Sequence, residues 1–404
     1  MPTVTVRDVE RARAAIGDIA RHTPVVPSAT LRERTGATVV LKAESLQRTG
    51  SFKVRGALSK LAALGADCTA GVVCGSAGNH AQALAFAARE RGVPCEVFMP
   101  VEASVGKVEG AAALGATVRL TGTSVDECVA AARERSEEGG LAFVHPFDDP
   151  DVVAGQGTLG LELLEDVPAL ATVVVPVGGG GLAAGVAIAV KSARPEVRVV
   201  GVQVESCASY GASLAAGAPV TVPSQLTIAD GIAVKRPGDL TLGLVGEWVD
   251  EVVVVGEEAI AEAMVLCLEQ AKLVVEGGGA VGVAALLGGQ VTAAAKGTTC
   301  VVLSGGNVDA GLLALIARRH ETGAGRRLVL FTRVPDRPGA LAALLTLLAE
   351  TGANLVDVEH VREGVDLHVR ETAVQLVLET RGRGHAERVS AAVAEAGYAA
   401  NVVR

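Results

Sequence analysis

Between residues 40 and 320, short apolar runs alternate with longer Ala-rich stretches. Ala70 to Cys74, Thr172 to Val177 and Thr299 to Val302 read as strands; Ala81 to Arg91 and Ala183 to Lys191 read as helices. Such alternation predicts a parallel sheet with helices on both faces. Val167 to Val190 carries no charge and is long enough for a membrane span. Pro176 and the glycines from Gly178 divide it into strand, loop and helix instead. Arg318 to Gly325, charged and Gly-containing, predicts a linker. Beyond it, Leu328 to Val334 alternates like a strand, Pro335 to Gly339 is a turn, and Ala340 to Thr351 is an apolar-rich helix. Strands over Asn354 to Val361 and Leu367 to Glu379, a helix from His385 to Gly397 and a last extended piece, Tyr398 to Val402, complete a βαββαβ order.

Four junctions between these elements carry polar or glycine-rich chemistry. Lys53 lies in Thr49-Gly50-Ser51-Phe52-Lys53-Val54-Arg55-Gly56, a Gly/Ser turn opening a helix, and such a lysine suits amine chemistry on an aldehyde. Ser76-Ala77-Gly78-Asn79-His80 joins a strand to a helix, where unpaired N–H groups can hold a carboxylate. Simple helix capping by Ser76 or Asn79 is the bland alternative. Gly178-Gly179-Gly180-Gly181-Leu182 lets main-chain N–H groups wrap an oxyanion closely, as a phosphate requires. Ser304, in Leu303-Ser304-Gly305-Gly306-Asn307, ends a strand where its hydroxyl can face a cleft at the carboxyl edge of the sheet.

In order and spacing these segments resemble the fold-type II pyridoxal-phosphate enzymes, in the branch of threonine ammonia-lyase (threonine dehydratase) and serine racemase. The resemblance covers about residues 5 to 320. It rests on H-T-P-V from His22, L-K-A-E-S-L-Q-R-T-G-S-F-K-V-R-G-A from Leu41, S-A-G-N-H-A-Q from Ser76 and G-G-G-G-L from Gly178. T-I-A-D-G-I-A-V from Thr227, E-G-G-G-A from Glu276 and S-G-G-N from Ser304 complete it. The tail, with D-R-P-G-A-L from Asp336, resembles an ACT domain. The resemblance implies an α/β fold of two lobes plus a C-terminal α+β ACT domain. Its boundaries would be a catalytic domain over 1–320 with its smaller lobe at about 52–149, a linker at 321–326 and the ACT domain over 327–404.

The resemblance also implies roles. Lys53 would carry pyridoxal 5'-phosphate through a Schiff base, with Phe52 and Asn79 at its ring and 3-oxygen. Gly178, Gly179, Gly180, Gly181 and Leu182 would take the phosphate, Ser304 the pyridine nitrogen, and Glu276 would lie nearby. Ser51, Ser76, Ala77, Gly78, Asn79 and His80 would hold the substrate, an amino acid, while Gly339 and Asn354 would sit near an effector site in the ACT domain. A neutral serine at the pyridine nitrogen leaves the ring a weaker electron sink, which favours loss of a β-leaving group over transamination. The implied reaction is β-elimination from L-threonine to 2-oxobutanoate and ammonia, with L-serine as a side substrate.

Two departures bear on the choice within the branch. Racemases there carry a second serine where this chain has Ala77, which favours a lyase over a racemase; a serine dehydratase of the same branch stays an alternative, threonine being preferred on the resemblance. A divalent-cation site would draw on Glu205, but Gly211 stands where its aspartate would be, so no metal is expected. Outside the branch, Gly178-x-Gly180-x-x-Ala183 with Glu205 could be read as a dinucleotide fingerprint of an oxidoreductase, and the tail alone as a nonenzymatic amino-acid sensor. Neither accounts for Lys53, Ser304 and the Ser76 turn together.

Composition narrows the classes further. The 404 residues leave room for two or three domains, and 50% hydrophobic with only 2% aromatic content predicts Ala/Val/Leu packing. A formal net charge of -9 argues against nucleic acid and anionic membranes as partners. Seven cysteines without a C-x-x-C pair argue against disulfides or zinc and for reduced thiols. Met1 to Arg13 is charged and lacks the apolar core of a secretory signal. The expectation is a cytoplasmic homodimer or homotetramer.

Overall fold

The computed structural model describes residues 3–362 and 368–403, which divide into two compact units, Met1–Asp309 and Ala310–Arg404. The first unit holds strands β1 (Val25–Pro27), β2 (Thr38–Ala43), β3 (Val72–Gly75), β4 (Cys95–Met99) and β5 (Thr117–Leu120). It continues through β6 (Ala142–Phe143), β7 (Leu170–Pro176), β8 (Arg198–Val204), β9 (Glu251–Val255) and β10 (Thr298–Leu303). They form two sheets, one ordered β1-β2-β10-β7-β8-β9 and one ordered β5-β4-β3-β6. Among the described residues the pairings are parallel, as expected, with an antiparallel edge strand, β1 on β2, added. β10 is buried along its whole length and β7 nearly so, as a strand covered on both faces must be.

Strand order decides where the chemistry gathers. β2, β10 and β7 are neighbours, so their carboxyl ends deliver the Lys53 turn, Ser304 and the glycine loop to one edge. The smaller sheet contributes the Ser76 turn from the end of β3.

One helix ties these pieces together. Asp149 caps the Pro150–Asp166 helix by accepting the N–H groups of Asp151 and Val152, with Pro150 in the first turn. Its glycines permit backbone contact on both sides. A Cβ on Gly155 would lie 2.6 Å from the Arg55 carbonyl oxygen, and one on Gly185, in the helix after the glycine loop, would strike that of Val153. The Lys53–Leu64 and Gly181–Ala193 helices are thus held against a common neighbour at main-chain distance.

Buried charge fixes the base of the Lys53 helix. Arg55 donates to both oxygens of Glu44 at 2.8 Å and to Glu162 at 2.6 and 3.0 Å. Lys42, fully buried, reaches Glu162 at 2.7 Å and Asp166 at 3.0 Å. Burial alone would raise the Glu44 carboxyl, yet the charge and hydrogen bonds of Arg55 hold it below its ordinary value.

The second unit begins with the Ala310–Gly323 helix, so the stretch read as a linker from Arg318 is helical as far as Gly323, and within 321–326 only 324–326 form a turn. β11 (Arg327–Pro335), β12 (Asn354–Val361), β13 (Glu371–Glu379) and β14 (Asn401–Val403) form an antiparallel sheet ordered β12-β13-β11-β14. Leu330, Leu376 and Leu378 of the sheet pack with Leu344 and Leu348 of the Ala340–Glu350 helix and Val389 and Val393 of the Arg383–Glu395 helix. β13 starts later than expected because the chain turns over His368 to Arg370, and Leu367 lies outside the described residues. The last strand likewise begins at Asn401 rather than Tyr398. Among the described residues no helix is long and apolar enough to cross a membrane.

Candidate active site

A single cavity is lined by Phe52, Lys53, Asn79, Gly178 to Leu182, Glu276 and Ser304, bringing together residues from five separate stretches of chain. Pro146, Phe147, Gln156, Pro176, Gly231 and Ile232 complete its wall.

The Lys53 and Ser304 turns are stitched by main chain. Phe52 N–H donates to the Ser304 carbonyl at 3.0 Å, Gly306 N–H to that of Gly50 at 2.9 Å, and Ser51 pairs with Gly305. Gly50 has φ +72°, and a Cβ there would strike the Asn307 side chain. Asn307 in turn donates from Nδ2 to the Thr49 carbonyl (2.8 Å) and to Asn79 Oδ1 (2.7 Å). Asn79 Nδ2 donates to Glu276 Oε1 at 2.7 Å. The Asn79 side chain caps no helix; it links Glu276, at the start of the Gly277–Leu287 helix, to Asn307 in a part-buried chain.

Electrostatics set two proton carriers in the cavity. Burial pulls the Lys53 amine down to about 8, against the opposing charge of Glu276. Lys53 Nζ hydrogen-bonds the Pro146 carbonyl at 2.7 Å rather than a carboxylate. Burial pushes the Glu276 carboxyl up to about 7, the Asn79 hydrogen bond opposing the rise. The Lys53 amine therefore turns neutral as pH rises through about 8, and the Glu276 carboxyl as pH falls through about 7.

The glycine loop is a cradle that side chains would fill. A Cβ on Gly179 would collide with the Phe147 ring, and one on Gly180, at φ +88°, with the Tyr210 hydroxyl oxygen. That hydroxyl donates to the Gly179 carbonyl at 3.0 Å and fixes the loop from behind. The loop ends at the start of the Gly181–Ala193 helix, whose first N–H groups have no partner within the helix.

The substrate-side residues divide. Asn79 lines the cavity; Ser76 Oγ accepts the Gly78 N–H at 3.3 Å. The His80 ring is buried and bonded to the Val144 carbonyl at 3.0 Å, so the side chain expected near substrate serves packing, and only its main chain is left for that role. Ser51 Oγ is buried with no partner among the described residues. In the second unit Gly339 begins the Ala340–Glu350 helix at φ +84°, and the Asn354 amide is engaged by Glu379 at 2.9 Å. No cluster of metal-ligating side chains occurs among the described residues.

Sequence reasoning missed the turn His145 to Asp149, which supplies Pro146 and Phe147 to the wall. Its visible signal was Asp149-Pro150, a helix-start pair six residues after the end of β6. Tyr210, behind the loop, carried no signal.

These residues fit pyridoxal phosphate. The side-chain-free cradle suits its phosphate, the unpartnered Ser51 hydroxyl a further polar group, and a lysine amine near neutrality its aldehyde. Two outcomes follow. Gly180→Ala forces a left-handed backbone onto a residue with a Cβ, at about 1–3 kcal/mol, so affinity for pyridoxal phosphate should fall about 10- to 100-fold. Equilibrium titration of cofactor-stripped protein checks this, and unchanged affinity would contradict the cradle. Because only the neutral amine attacks, capture of pyridoxal phosphate by stripped protein should accelerate as pH rises through about 8. Stopped-flow absorbance across pH reads it; a rise centred on the free-lysine value of about 10.4 would contradict the burial of Lys53.

Comparison with known proteins agrees with the geometry. Residues 16–305 match the pyridoxal-phosphate dependent enzyme family and residues 328–397 the ACT domain. The chain is 45% identical over 401 residues to an L-threonine ammonia-lyase of Thermotoga maritima, covering 99% of this chain and 100% of that one. An L-threonine ammonia-lyase of Geobacter sulfurreducens is 46% identical over 385 residues, 95% of this chain and 96% of its own. Among solved structures, maize serine racemase superposes with a TM-score of 0.75 at 36% identity, over 80% of this chain and 99% of that one. A threonine deaminase of T.th. gives 0.71 at 41% identity, over 76% and 99%. The dinucleotide and sensor readings fall away, and the chain belongs to the pyridoxal-phosphate dependent enzyme family, a fold-type II α/β enzyme carrying a C-terminal ACT domain.

Proposed function

We propose that this enzyme is a threonine ammonia-lyase: it converts L-threonine to 2-oxobutanoate and ammonia, takes L-serine more slowly, and responds to an amino acid through its ACT domain. The observation that carries the reading is the similarity to L-threonine ammonia-lyases along 99% of the chain, ACT domain included. Ala77, where a racemase needs a second hydroxyl, supports it.

Pyridoxal phosphate, when bound, supplies the electron sink that acidifies the substrate α-carbon. The chain's residues do the rest. Main-chain N–H groups of Gly178 to Leu182 would hold the phosphate, Ser304 would serve the ring nitrogen, and Phe52 and Asn79 the ring and its 3-oxygen. The Ser51 hydroxyl and those N–H groups of the Ser76–His80 turn not already bonded, at Ala77, Asn79 and His80, would hold the substrate carboxylate. Lys53 Nζ takes the α-proton as general base, and its lowered basicity keeps part of it neutral at working pH. The β-hydroxyl departs with a proton as water, and water returns when the released enamine hydrolyses to the keto acid and ammonia. Pro146, Phe147, Pro176 and Ile232 form the apolar part of the wall around this transfer.

Threonine and serine differ by one methyl, which an apolar wall separates by about 1–3 kcal/mol, so kcat/KM should favour threonine by about 10- to 100-fold. A keto-acid assay on both substrates with the full-length enzyme tests this. Serine preference would make it a serine lyase, and D-amino acid without keto acid would make it a racemase. Repeating the assay with isoleucine and valine tests the ACT response: a shift in KM or kcat is expected, and indifference to both would contradict amino-acid control by either.

A further inference from the structure

The turn from His145 to Asp149 touches both ends of the site. His145 Nδ1 accepts two main-chain N–H groups, from Phe147 at 3.3 Å and Asp148 at 2.7 Å. The ring stands edge-on to Phe147, with centroids 4.7 Å apart, and to Phe143 at 6.2 Å. A turn closed on one acceptor fixes the peptide between His145 and Phe147, and the Pro146 carbonyl it contains receives the Lys53 amine at 2.7 Å. Further along, the Phe147 ring fills the space beneath Gly179. Asp148 Oδ1 accepts the Thr241 N–H at 2.9 Å, and Asp149 pairs at 2.7 Å with Lys60 on the lysine's own helix.

We propose that His145 is a positioning residue for Lys53: by gathering the Phe147 and Asp148 N–H groups it holds the Pro146 carbonyl against the amine and so aims the base. This rests on the role given to Lys53 above. Only a ring unprotonated at Nδ1 can accept these bonds. Burial lowers the imidazole to about 4, Asp148 and Asp149 favouring protonation while Arg133 and Lys53 oppose it, so the acceptor persists through the working range. A merely structural turn would need its shape but not its aim at the amine.

Two polar replacements separate aim from fold. In His145→Asn the side-chain oxygen falls close to where Nδ1 stood; in His145→Gln it lies one methylene farther. With full-length holoenzyme, Asn should keep kcat within about 3-fold, while Gln should lower kcat about 10- to 100-fold with little change in KM, as a displaced base does. With cofactor-stripped protein, recapture of pyridoxal phosphate, followed by absorbance, should slow in parallel for Gln alone. The proposal is overturned if Gln matches wild type, or if Asn and Gln fall equally in kcat and recapture. Wild-type protein that never recaptures the cofactor would instead overturn the role of Lys53 beneath it.

Discussion

Lys53→Ala should abolish the visible band of lysine-bound cofactor and lower keto-acid release from threonine by about 1,000-fold or more. The effect is large because one amine serves twice, as the group that captures the aldehyde and as the base. Neither role has a substitute nearby. Glu276 approaches neutrality at about 7 and is already committed to Asn79 at 2.7 Å, and the His80 ring is bonded to the Val144 carbonyl. Lys53→Arg should fail equally, since a guanidinium stays charged and cannot take a proton. Absorbance and a coupled assay on the same sample check both variants; retained turnover in either would remove Lys53 from the chemistry.

Arg55→Leu should destabilise the first unit by about 3–5 kcal/mol, because it strands two carboxylates inside the protein. Glu44 is fully buried and loses both of its bonds to the guanidinium; Glu162 keeps only Lys42. Arg55→Lys should recover little, since an ammonium cannot bridge both carboxylates with the same fork of donors. Equilibrium denaturation measures the change, and a loss under about 1 kcal/mol would mean that this network is not what anchors the helix of Lys53.

What could be read from the sequence, and what could not, divides by chain distance. Lys53, the glycine loop and Ser304 each declare themselves within a few residues, because a helix start or a glycine run is a local main-chain device. So is the strand pattern that set their common sheet edge. The Lys53 amine, by contrast, meets a carbonyl 93 residues away, and carbonyls have no signature in sequence. Arg55 and Glu162 look like ordinary exposed helix charges until 107 residues of chain bring them together inside the protein. The opposite error arises at Arg318 to Gly323, where charge and a glycine suggest a linker: Arg318 and Arg319 lie on an exposed face of a continuing helix. His80 departs from its expected role for a related reason. Its place in the Ser76 turn is local, but its ring direction depends on Val144 from another strand end.

The central claim is a lysine-borne cofactor performing β-elimination on threonine, and the most direct measurement is a visible absorbance spectrum of the purified enzyme before and after L-threonine, with 2-oxobutanoate assayed in the same cuvette. A violet-absorbing band that responds to threonine while 2-oxobutanoate accumulates is expected; no band after addition of pyridoxal phosphate, or a band with no keto acid formed, would refute a lysine-borne cofactor acting on threonine.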